Sequence, residues 1–193
     1  MEKLSKEQAI ILKLFKEFNE SYNSRSISKK VGIGHSGAFK ILKKLEKENI
    51  VFGKRIGKAV IYKLNMENPI AIRKIELALT FEAEDFGKWL EEFRELKDKF
   101  KFSILFGSVL RNEKEAKDID VLIVASTHEI KEIRNKIEEK NKILSKKIHL
   151  LIQSEEDFIS DLENKNKVIY EIIKTGIVLY GQENITKYLR KLV

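Results

Sequence analysis

The sequence lacks cysteine altogether and holds a single proline among its 193 residues. Without cysteine, neither a disulfide framework nor a thiolate metal site can form. The apolar runs are far shorter than the roughly 20 residues that span a bilayer. The chain opens on the charged stretch MEKLSKEQ, without the pattern of a signal peptide. We therefore expect a cytoplasmic protein without a membrane partner.

Positive charge is concentrated in the first third of the chain. Residues 1–66 carry 15 Lys and Arg against 6 Asp and Glu, a net charge of +9, whereas residues 67–193 carry 23 against 24, a net charge of −1. A basic segment beside a neutral one is typical of a nucleic-acid-binding module joined to a second domain. On charge alone, the alternative is a basic domain without a polyanionic partner.

The first third has the pattern of three helices and a hairpin. Apolar spacing predicts a helix over about 6–20, and we predict that Ser26 N-caps a short second helix that Gly32 ends. GAFKILKKLEKEN predicts a third helix with a strongly basic face. IVFGKR and AVIYKL predict two short strands around a turn at Gly57.

The rest of the chain alternates helical and strand patterns. Pro69 suits the first turn of a helix, so the helical pattern that runs to about Lys99 begins a new segment. Beyond it we predict strands over 101–106, 119–124 and 147–153, a helix over 128–145, and helical segments to the end. The predicted fold is α+β with two domains: residues 1–66, a helical linker over 67–99, and an α/β domain over 100–193 with a small mixed sheet flanked by helices.

The stretch SISKKVGIGHSGAFKILKKLEKENIV, with the predicted hairpin after it, resembles the winged helix-turn-helix DNA-binding domains of prokaryotic regulators. The resemblance implies that the third helix enters the major groove of double-stranded DNA, its N-terminal residues nearest the bases. It assigns to DNA binding the residues His35, Ser36, Phe39, Lys40, Lys43, Lys44, Lys47, Lys54, Arg55 and Lys58. Phe39 is alternatively a core residue, and this fold also serves in protein contacts.

A second motif lies between Ser103 and Ser126. Gly107-Ser108 ends one predicted strand, and the backbone N–H groups of such a turn hold phosphates well. Asp118 and Asp120 begin the next strand on one face, because strand residues two apart point the same way. Carboxylate oxygens are the ligands that hard divalent cations prefer. The stretch is either a phosphate cradle facing a metal site or an ordinary loop between strands.

LFGSVLR and KDIDVLIV together resemble the Gly-Ser loop and metal-binding strand of the minimal nucleotidyltransferases in the DNA polymerase beta superfamily, and EIIKTGIVLYGQE resembles their closing segment. The resemblance covers roughly 100–185. It implies that Asp118 and Asp120 are catalytic and coordinate two Mg²⁺ or Mn²⁺ ions. It further implies that Gly107 and Ser108 hold the outer phosphates of ATP or another nucleoside triphosphate (NTP), while Arg111 and Lys117 add positive charge.

The family's third carboxylate is missing here. Its position in the strand KKIHLLIQS is occupied by His149, and Asn112 replaces the glycine that often follows the loop arginine. A histidine accepts protons and binds transition metals, but it does not replace an anionic ligand of magnesium. His149 is therefore a candidate catalytic base or a strand residue without a role. We expect the acidic run over 155–157 in the first turn of a helix, not in a metal site.

Three functions remain open. The missing carboxylate favours a DNA-binding transcriptional regulator that carries a nucleotidyltransferase-like domain. The intact Gly-Ser and Asp-x-Asp motifs favour an active metal-dependent nucleotidyltransferase. An antitoxin that acts on a partner protein is implied by the resemblance only. We expect a homodimer; Phe86, Trp89 and Phe93 form either a dimer surface or ordinary packing, and packing is the preferred interpretation.

Overall fold

The computed structural model describes residues 4–190 and residue 192. The chain is a mixed α+β protein that divides into two compact units. The first unit extends to Phe81 and includes the chain again from Thr186, and the second is Glu82–Ile185. We described residues 67–99 as a helical linker, and the division falls inside that segment. The predicted domain limits stay a prediction, and their outermost positions, 1–3, 191 and 193, lie outside the described residues.

The first unit contains three helices followed by a two-stranded hairpin and a long helix. The elements are α1 (Lys6–Lys16), α2 (Ser24–Val31), α3 (His35–Lys47), β1 (Val51–Ile56), β2 (Ala59–Leu64) and α4 (Pro69–Glu84). The hairpin is antiparallel, and its register pairs Val51 with Leu64 and Ile56 with Ala59. As predicted, α4 begins at the only proline.

The second helix begins earlier than we predicted. Asn23, not Ser26, is its N-cap: the Asn23 side chain accepts hydrogen bonds from the backbone N–H groups of Arg25 and Ser26, and the Ser26 side chain accepts one from the N–H of Asn23. This reciprocal capping box provides acceptors for backbone N–H groups that have no partner within the helix. Gly32 ends the helix at a φ of 71°, as predicted. This left-handed conformation favours glycine.

The first helix is shorter than predicted and ends at Lys16 instead of near residue 20. Glu17 is buried and accepts hydrogen bonds from Lys13 and from the hydroxyl of Tyr22. The backbone carbonyl of Tyr22 accepts a hydrogen bond from the N–H of Tyr62 in β2. Because the helix ends at Lys16, Tyr22 can pair with Tyr62 of the hairpin. This is a tertiary contact, and the spacing of apolar residues does not predict it.

The second unit is built on a four-stranded mixed sheet. Its elements are α5 (Gly87–Phe93), a 3₁₀ turn (Arg94–Leu96), β3 (Phe102–Phe106), a second 3₁₀ turn (Gly107–Leu110), β4 (Asp118–Ala125), α6 (Ile130–Ile143), β5 (Lys147–Ser154), α7 (Glu155–Glu163), α8 (Lys167–Thr175), β6 (Ile177–Tyr180) and the start of α9 (Gln182–Leu189). The strand order is β5-β4-β3-β6, with β4 parallel to β5 and β3 antiparallel to both of its neighbours.

The strand β6 corrects our prediction that the chain after residue 153 is helical. Gly176 and Gly181 flank the apolar run IVLY. A side chain at Gly176 would meet the carbonyl oxygen of Leu105 in β3 at 3.0 Å, and Gly181 has a φ of 79°. The two glycines let β6 lie against β3, and four apolar residues bounded by glycine suit a short strand as well as a helix end.

One hydrophobic core cluster of this unit covers one face of the sheet, and on the other face Ile104, Leu122 and Val124 are fully buried as well. Ile119, Val121 and Ile123 of β4 point into the cluster, and buried residues of α5 and α6 cover it. Trp89 and Phe93 are buried there, and Phe86 packs against the cluster. The packing interpretation of these aromatic residues is therefore correct. Because side chains alternate along a strand, Asp118 and Asp120 lie on the opposite face.

Candidate functional site

The Gly-Ser turn follows β3 directly. Gly107 has a φ of 81°, and a side chain at this position would collide with the carboxylate of Asp120. Only glycine meets both demands, because it has no Cβ and tolerates the left-handed region. The N–H groups of Arg111 and Asn112 donate to the carbonyl of Ser108 at 3.0 and 3.1 Å, which closes the turn. The Asp120 carboxylate therefore lies against the backbone of the turn.

The two predicted metal ligands share one face of β4. Asp118 is exposed, Ile119 is buried and Asp120 is partly buried, whereas residues 121–125 are all buried. The two aspartates therefore share a face of the strand at its uncovered start. Asp120 is opposite Phe106, the last residue of β3, so it stands beside the Gly-Ser turn. Sheet register thus brings together two motifs that are separated in sequence.

His149 lies next to Asp120 on the neighbouring strand. Parallel pairing of β4 and β5 aligns the two residues, and Nδ1 of His149 is 3.1 Å from Oδ1 of Asp120. An ionised carboxylate only accepts hydrogen bonds, so Nδ1 is the donor in this contact, and in a neutral imidazole Nε2 would then be an acceptor. The His149 side chain is 78% exposed and that of Asp120 is 21% exposed. The site thus contains an imidazole held by a carboxylate and open to solvent.

The donor set fits one magnesium ion better than two. Among the described residues, no group of three or more His, Cys, Asp and Glu side chains can hold a metal ion. Magnesium is usually bound through one or two carboxylates together with the phosphates of its substrate. Asp118 and Asp120 meet that requirement for a single ion that arrives with a triphosphate. A second ion has no third carboxylate, because His149 occupies that position.

The cations assigned to the phosphates lie at either end of the connecting loop. Arg111 follows the 3₁₀ turn and Lys117 precedes Asp118, and both side chains are exposed. The loop between them is held by lysines: Lys88 contacts the Glu113 carboxylate at 2.5 Å, and Lys146 donates to main-chain carbonyls of the loop. The sequence did not indicate a role for these two lysines, because no local pattern shows that a lysine will contact a carboxylate or a carbonyl far away in the chain.

A cleft opens beside the Gly-Ser turn. Its volume is about 380 Å³, and it is lined by Gly107, Leu110, Arg111, Glu171 and Thr175. Glu171 and Thr175 belong to α8 and were not predicted. Their spacing of four residues looks like the polar face of any amphipathic helix. The acidic run over 155–157 does begin α7, as expected, with Ser154 as its N-cap.

The exposed face of α3 carries most of the residues assigned to DNA. His35, Ser36, Phe39, Lys40, Lys43, Lys44 and Lys47 are all exposed, and Phe39 keeps 46% of its surface accessible. Phe39 is therefore not a core residue. His35 is 3.0 Å from the hydroxyl of Ser24, a contact that joins the start of α3 to the start of α2. Lys54, Arg55 and Lys58 of the hairpin are also exposed.

Two of these lysines are already paired with acids. Lys43 contacts Glu46 at 2.7 Å, and Lys44 contacts Glu7 at 2.8 Å and Glu48 at 3.8 Å. Over residues 4–190 and 192, no ion pair engages Lys40 and Lys47 of the helix, or Lys54, Arg55 and Lys58 of the hairpin. The net positive potential of this surface therefore comes mainly from these five residues without an ion-pair partner.

Comparison with known proteins assigns the second unit to a family. The family model described as polymerase beta, nucleotidyltransferase matches residues 88–185, which is half of the chain. The chain therefore belongs to the polymerase beta nucleotidyltransferase family. Its members typically use divalent metals and NTPs. A search of curated proteins gave no match.

Solved structures similar to this chain include transcription regulators. A point mutant of ZitR from Lactococcus lactis is 23% identical, with a TM-score of 0.36, and the alignment covers 50% of this chain and 64% of that one. Wild-type ZitR in complex with DNA is 21% identical, with a TM-score of 0.36 and coverages of 50% and 65%. The adhesin competence repressor AdcR of Streptococcus pyogenes is 16% identical, with a TM-score of 0.36 and coverages of 59% and 84%. These scores are too low to support a functional conclusion.

No helix among the described residues combines the length and apolarity needed to cross a membrane.

Proposed function

We propose that this protein is a DNA-binding transcriptional regulator whose nucleotidyltransferase-family unit binds an NTP with one divalent cation. The observation that carries the DNA-binding half is the cationic surface of the first unit. Lys40 and Lys47 on α3 and three residues of the hairpin have no acidic partner in the described part of the chain. Each such cation that reaches a phosphate releases a counterion and strengthens binding at low salt.

The shape of this surface suits duplex DNA. Helix α3 spans 13 residues, and its exposed residues Ser36, Lys40, Lys43 and Lys47 recur at helical spacing along one side. A single helix of this kind fits the major groove. The hairpin projects six-residue strands whose turn carries Lys58 after Gly57. We assign the hairpin cations to the neighbouring phosphates and the N-terminal part of α3 to the bases.

Salt-dependent binding to duplex DNA tests this assignment. The affinity of the full chain for a labelled duplex is measured by fluorescence anisotropy over a series of salt concentrations. We expect Lys40→Ala/Lys47→Ala to weaken binding and to reduce the slope of log K against log salt by about 0.9 for each phosphate that is no longer neutralised. The matched control is Lys131→Ala/Lys142→Ala, two exposed lysines of α6 in the second unit, which should leave the slope unchanged. An equal slope in all three proteins would remove α3 from the DNA interface.

A second candidate function is nucleotidyl transfer itself, and the contact between His149 and Asp120 favours it. Nε2 of His149 is free to accept the proton of an acceptor hydroxyl when that oxygen attacks the α-phosphorus of an NTP and pyrophosphate leaves. A bound divalent cation would supply charge neutralisation at the phosphates. Asp118 and Asp120 would hold that ion, and Asp120 would also orient His149. The acceptor for this function is a hydroxyl of a partner protein, as in an antitoxin that modifies its toxin.

A further inference from the structure

A cavity lies in the first unit between the start of α2, helix α3 and the hairpin. Its volume is about 530 Å³, within the range of roughly 300–1,000 Å³ that is usual for small-molecule sites. Ser24 and Arg25 line it from α2, Phe39 from α3, and Val60 and Tyr62 from β2. All of these elements belong to one compact unit, so the cavity is formed within that unit.

The walls of the cavity are largely apolar and aromatic. Ile56 and Val60 contribute aliphatic surface, and Phe39 and Tyr62 contribute aromatic rings. Tyr62 is buried, whereas Phe39 keeps 46% of its surface exposed. An aromatic occupant would remove apolar surface of Phe39 from water, and pairs of aromatic rings are stabilised beyond the area that they bury.

The charge at the cavity is positive. Arg25 and Lys58 line it, and its lining residues include no Asp or Glu. Within the described part of the chain, neither of these two side chains forms an ion pair. A guanidinium binds a carboxylate through two parallel hydrogen bonds, so Arg25 suits a planar carboxylate in particular. The cavity therefore favours an anion over a neutral molecule of the same shape.

Tyr62 adds a polar group that lacks a partner. Its hydroxyl is buried and makes no hydrogen bond to any residue that the structure describes, although Lys43 of α3 lies near it. A buried donor without an acceptor costs free energy. A carboxylate is an acceptor only, so an anionic occupant offers the kind of group that this hydroxyl lacks.

We propose that this cavity binds a small aromatic carboxylate, and that the occupied protein binds DNA less tightly. The second clause rests on the proposed DNA-binding function, because Phe39 and Lys58 both line the cavity and belong to the residues assigned to DNA. A ligand that covers Phe39 and pairs with Lys58 withdraws both side chains from DNA. Because coupling between two ligands is reciprocal, DNA weakens the binding of the carboxylate by the same factor.

Direct binding to the full chain is measured by isothermal titration calorimetry, with 2-naphthoate and its uncharged amide, 2-naphthamide, as probes. We expect the wild type to prefer naphthoate by about tenfold, the worth of a charge-assisted hydrogen bond. Arg25→Ala should erase that preference. The matched control is Lys30→Ala, which removes another exposed cation of α2 that does not line the cavity, and it should keep the preference.

A second pair of variants tests the aromatic wall. Phe39→Ala should weaken the binding of both probes, because each loses the same ring contact. Phe52→Ala is the matched control: it removes a ring of the hairpin that is 54% exposed and does not line the cavity, so both affinities should stay unchanged. Both positions are exposed, and circular dichroism of each variant verifies that the fold is kept.

The coupling to DNA is measured separately, by fluorescence anisotropy of a labelled duplex at one salt concentration. We expect saturating naphthoate to weaken DNA binding by the wild type by about fivefold or more, the lower end of typical coupling between sites. In Arg25→Ala, naphthoate at the same concentration should leave the DNA affinity unchanged.

The possible failures are distinguishable. Equal affinities of the wild type for the two probes, or a preference that survives in Arg25→Ala, would overturn the assignment of the cavity. Binding of naphthoate without any change in DNA affinity would overturn the coupling. If the wild type bound naphthoate as expected but bound no duplex, the cavity assignment would be supported and the proposed DNA-binding function would be contradicted.

Discussion

At the scale of single residues, the sequence departs from the family pattern at Asn112, after the loop arginine, and at the third carboxylate position in β5. The third carboxylate position holds His149, whose imidazole is hydrogen-bonded to Asp120. A neutral imidazole adds no negative charge beside the two aspartates. It is also a softer ligand than a carboxylate, so it contributes little to holding magnesium. We therefore expect the metal affinity of this site, and any transfer activity, to depend on His149.

Restoring the carboxylate tests the role of His149. We expect His149→Asp to tighten Mg²⁺ binding in the presence of ATP by about tenfold, because a third carboxylate joins the two on β4. The measurement is calorimetric titration of Mg²⁺ into the protein with ATP, alongside detection of transferred nucleotide. His128→Asp is the control, since His128 is exposed and follows the far end of β4. Weaker metal binding and weaker transfer in His149→Asp would mean that the imidazole itself serves the reaction.

At the scale of secondary-structure elements, an ion-pair network ties α1, α3 and α4 of the first unit together. Glu7 of α1 contacts Lys44 of α3 at 2.8 Å and Lys74 of α4 at 2.7 Å, and Glu48 lies within 3.8 Å of both lysines. Burial by itself would raise the pKa of Glu7, but hydrogen bonds from Lys44 and Lys74 hold that pKa below its ordinary value of 4.5. Lys44 thus positions α3 within its unit.

The lowered pKa of Glu7 predicts a pH-dependent contribution to stability. The folded state binds the Glu7 proton less tightly than the unfolded state, so this contribution is present above pH 4.5 and is lost as the pH falls through the folded pKa. We expect Glu7→Gln to lower the free energy of unfolding at pH 7 by up to about 1 kcal/mol, since these pairs are partly exposed and screened. The difference from the wild type should shrink as the pH falls below 4.5. Urea denaturation at neutral and acidic pH measures it, and a difference that stays constant with pH would exclude the network as its cause.

The sequence predicted most of the elements because their signals are local. Glycine commonly ends a helix and proline commonly begins one. Gly32 ends α2 and Pro69 begins α4, as predicted. Likewise, the spacing of Asp118 and Asp120 in an apolar strand was enough to predict that both side chains lie on the same face of that strand. The N-cap of α2 was a local error, since Asn23 and Ser26 are both good caps and form one capping box. The other two errors depend on a distant partner: α1 ends at Lys16 and Tyr22 pairs with Tyr62, and β6 forms by pairing with β3.

The same distinction holds for the candidate site. Gly107 and Asp120 were recognisable as motif residues, but their contact depends on the antiparallel pairing of β3 with β4. The opposition of His149 and Asp120 depends on the parallel register of β4 and β5. Nothing in the sequence indicated that Glu171 would line the cleft beside the Gly-Ser turn, since it belongs to a helix far along the chain from that turn. Both contacts depend on how the strands pair, and the periodicity of the sequence does not reveal that pairing.

At the scale of the whole molecule, the net charge is divided unevenly along the chain. The excess positive charge lies in residues 1–66, where it suits DNA, while residues 67–193 are nearly neutral. Within the second unit, Asp118 and Asp120 place negative charge at the uncovered start of β4, on the face opposite Ile119 and Val121. A local anionic site in a nearly neutral unit suits a small ligand that brings its own cation, as an NTP does.

We propose above that the second unit binds a metal–NTP complex, and we assign its binding to Asp118, Asp120 and the Gly-Ser turn. Calorimetric titration of ATP with Mg²⁺ and then with Mn²⁺ tests it most directly, with wild-type protein and Asp120→Asn side by side. We expect ATP binding that requires the metal and is lost in Asp120→Asn. Metal-independent binding, or binding that Asp120→Asn leaves unchanged, would contradict it, as would the failure of the wild type to bind any NTP.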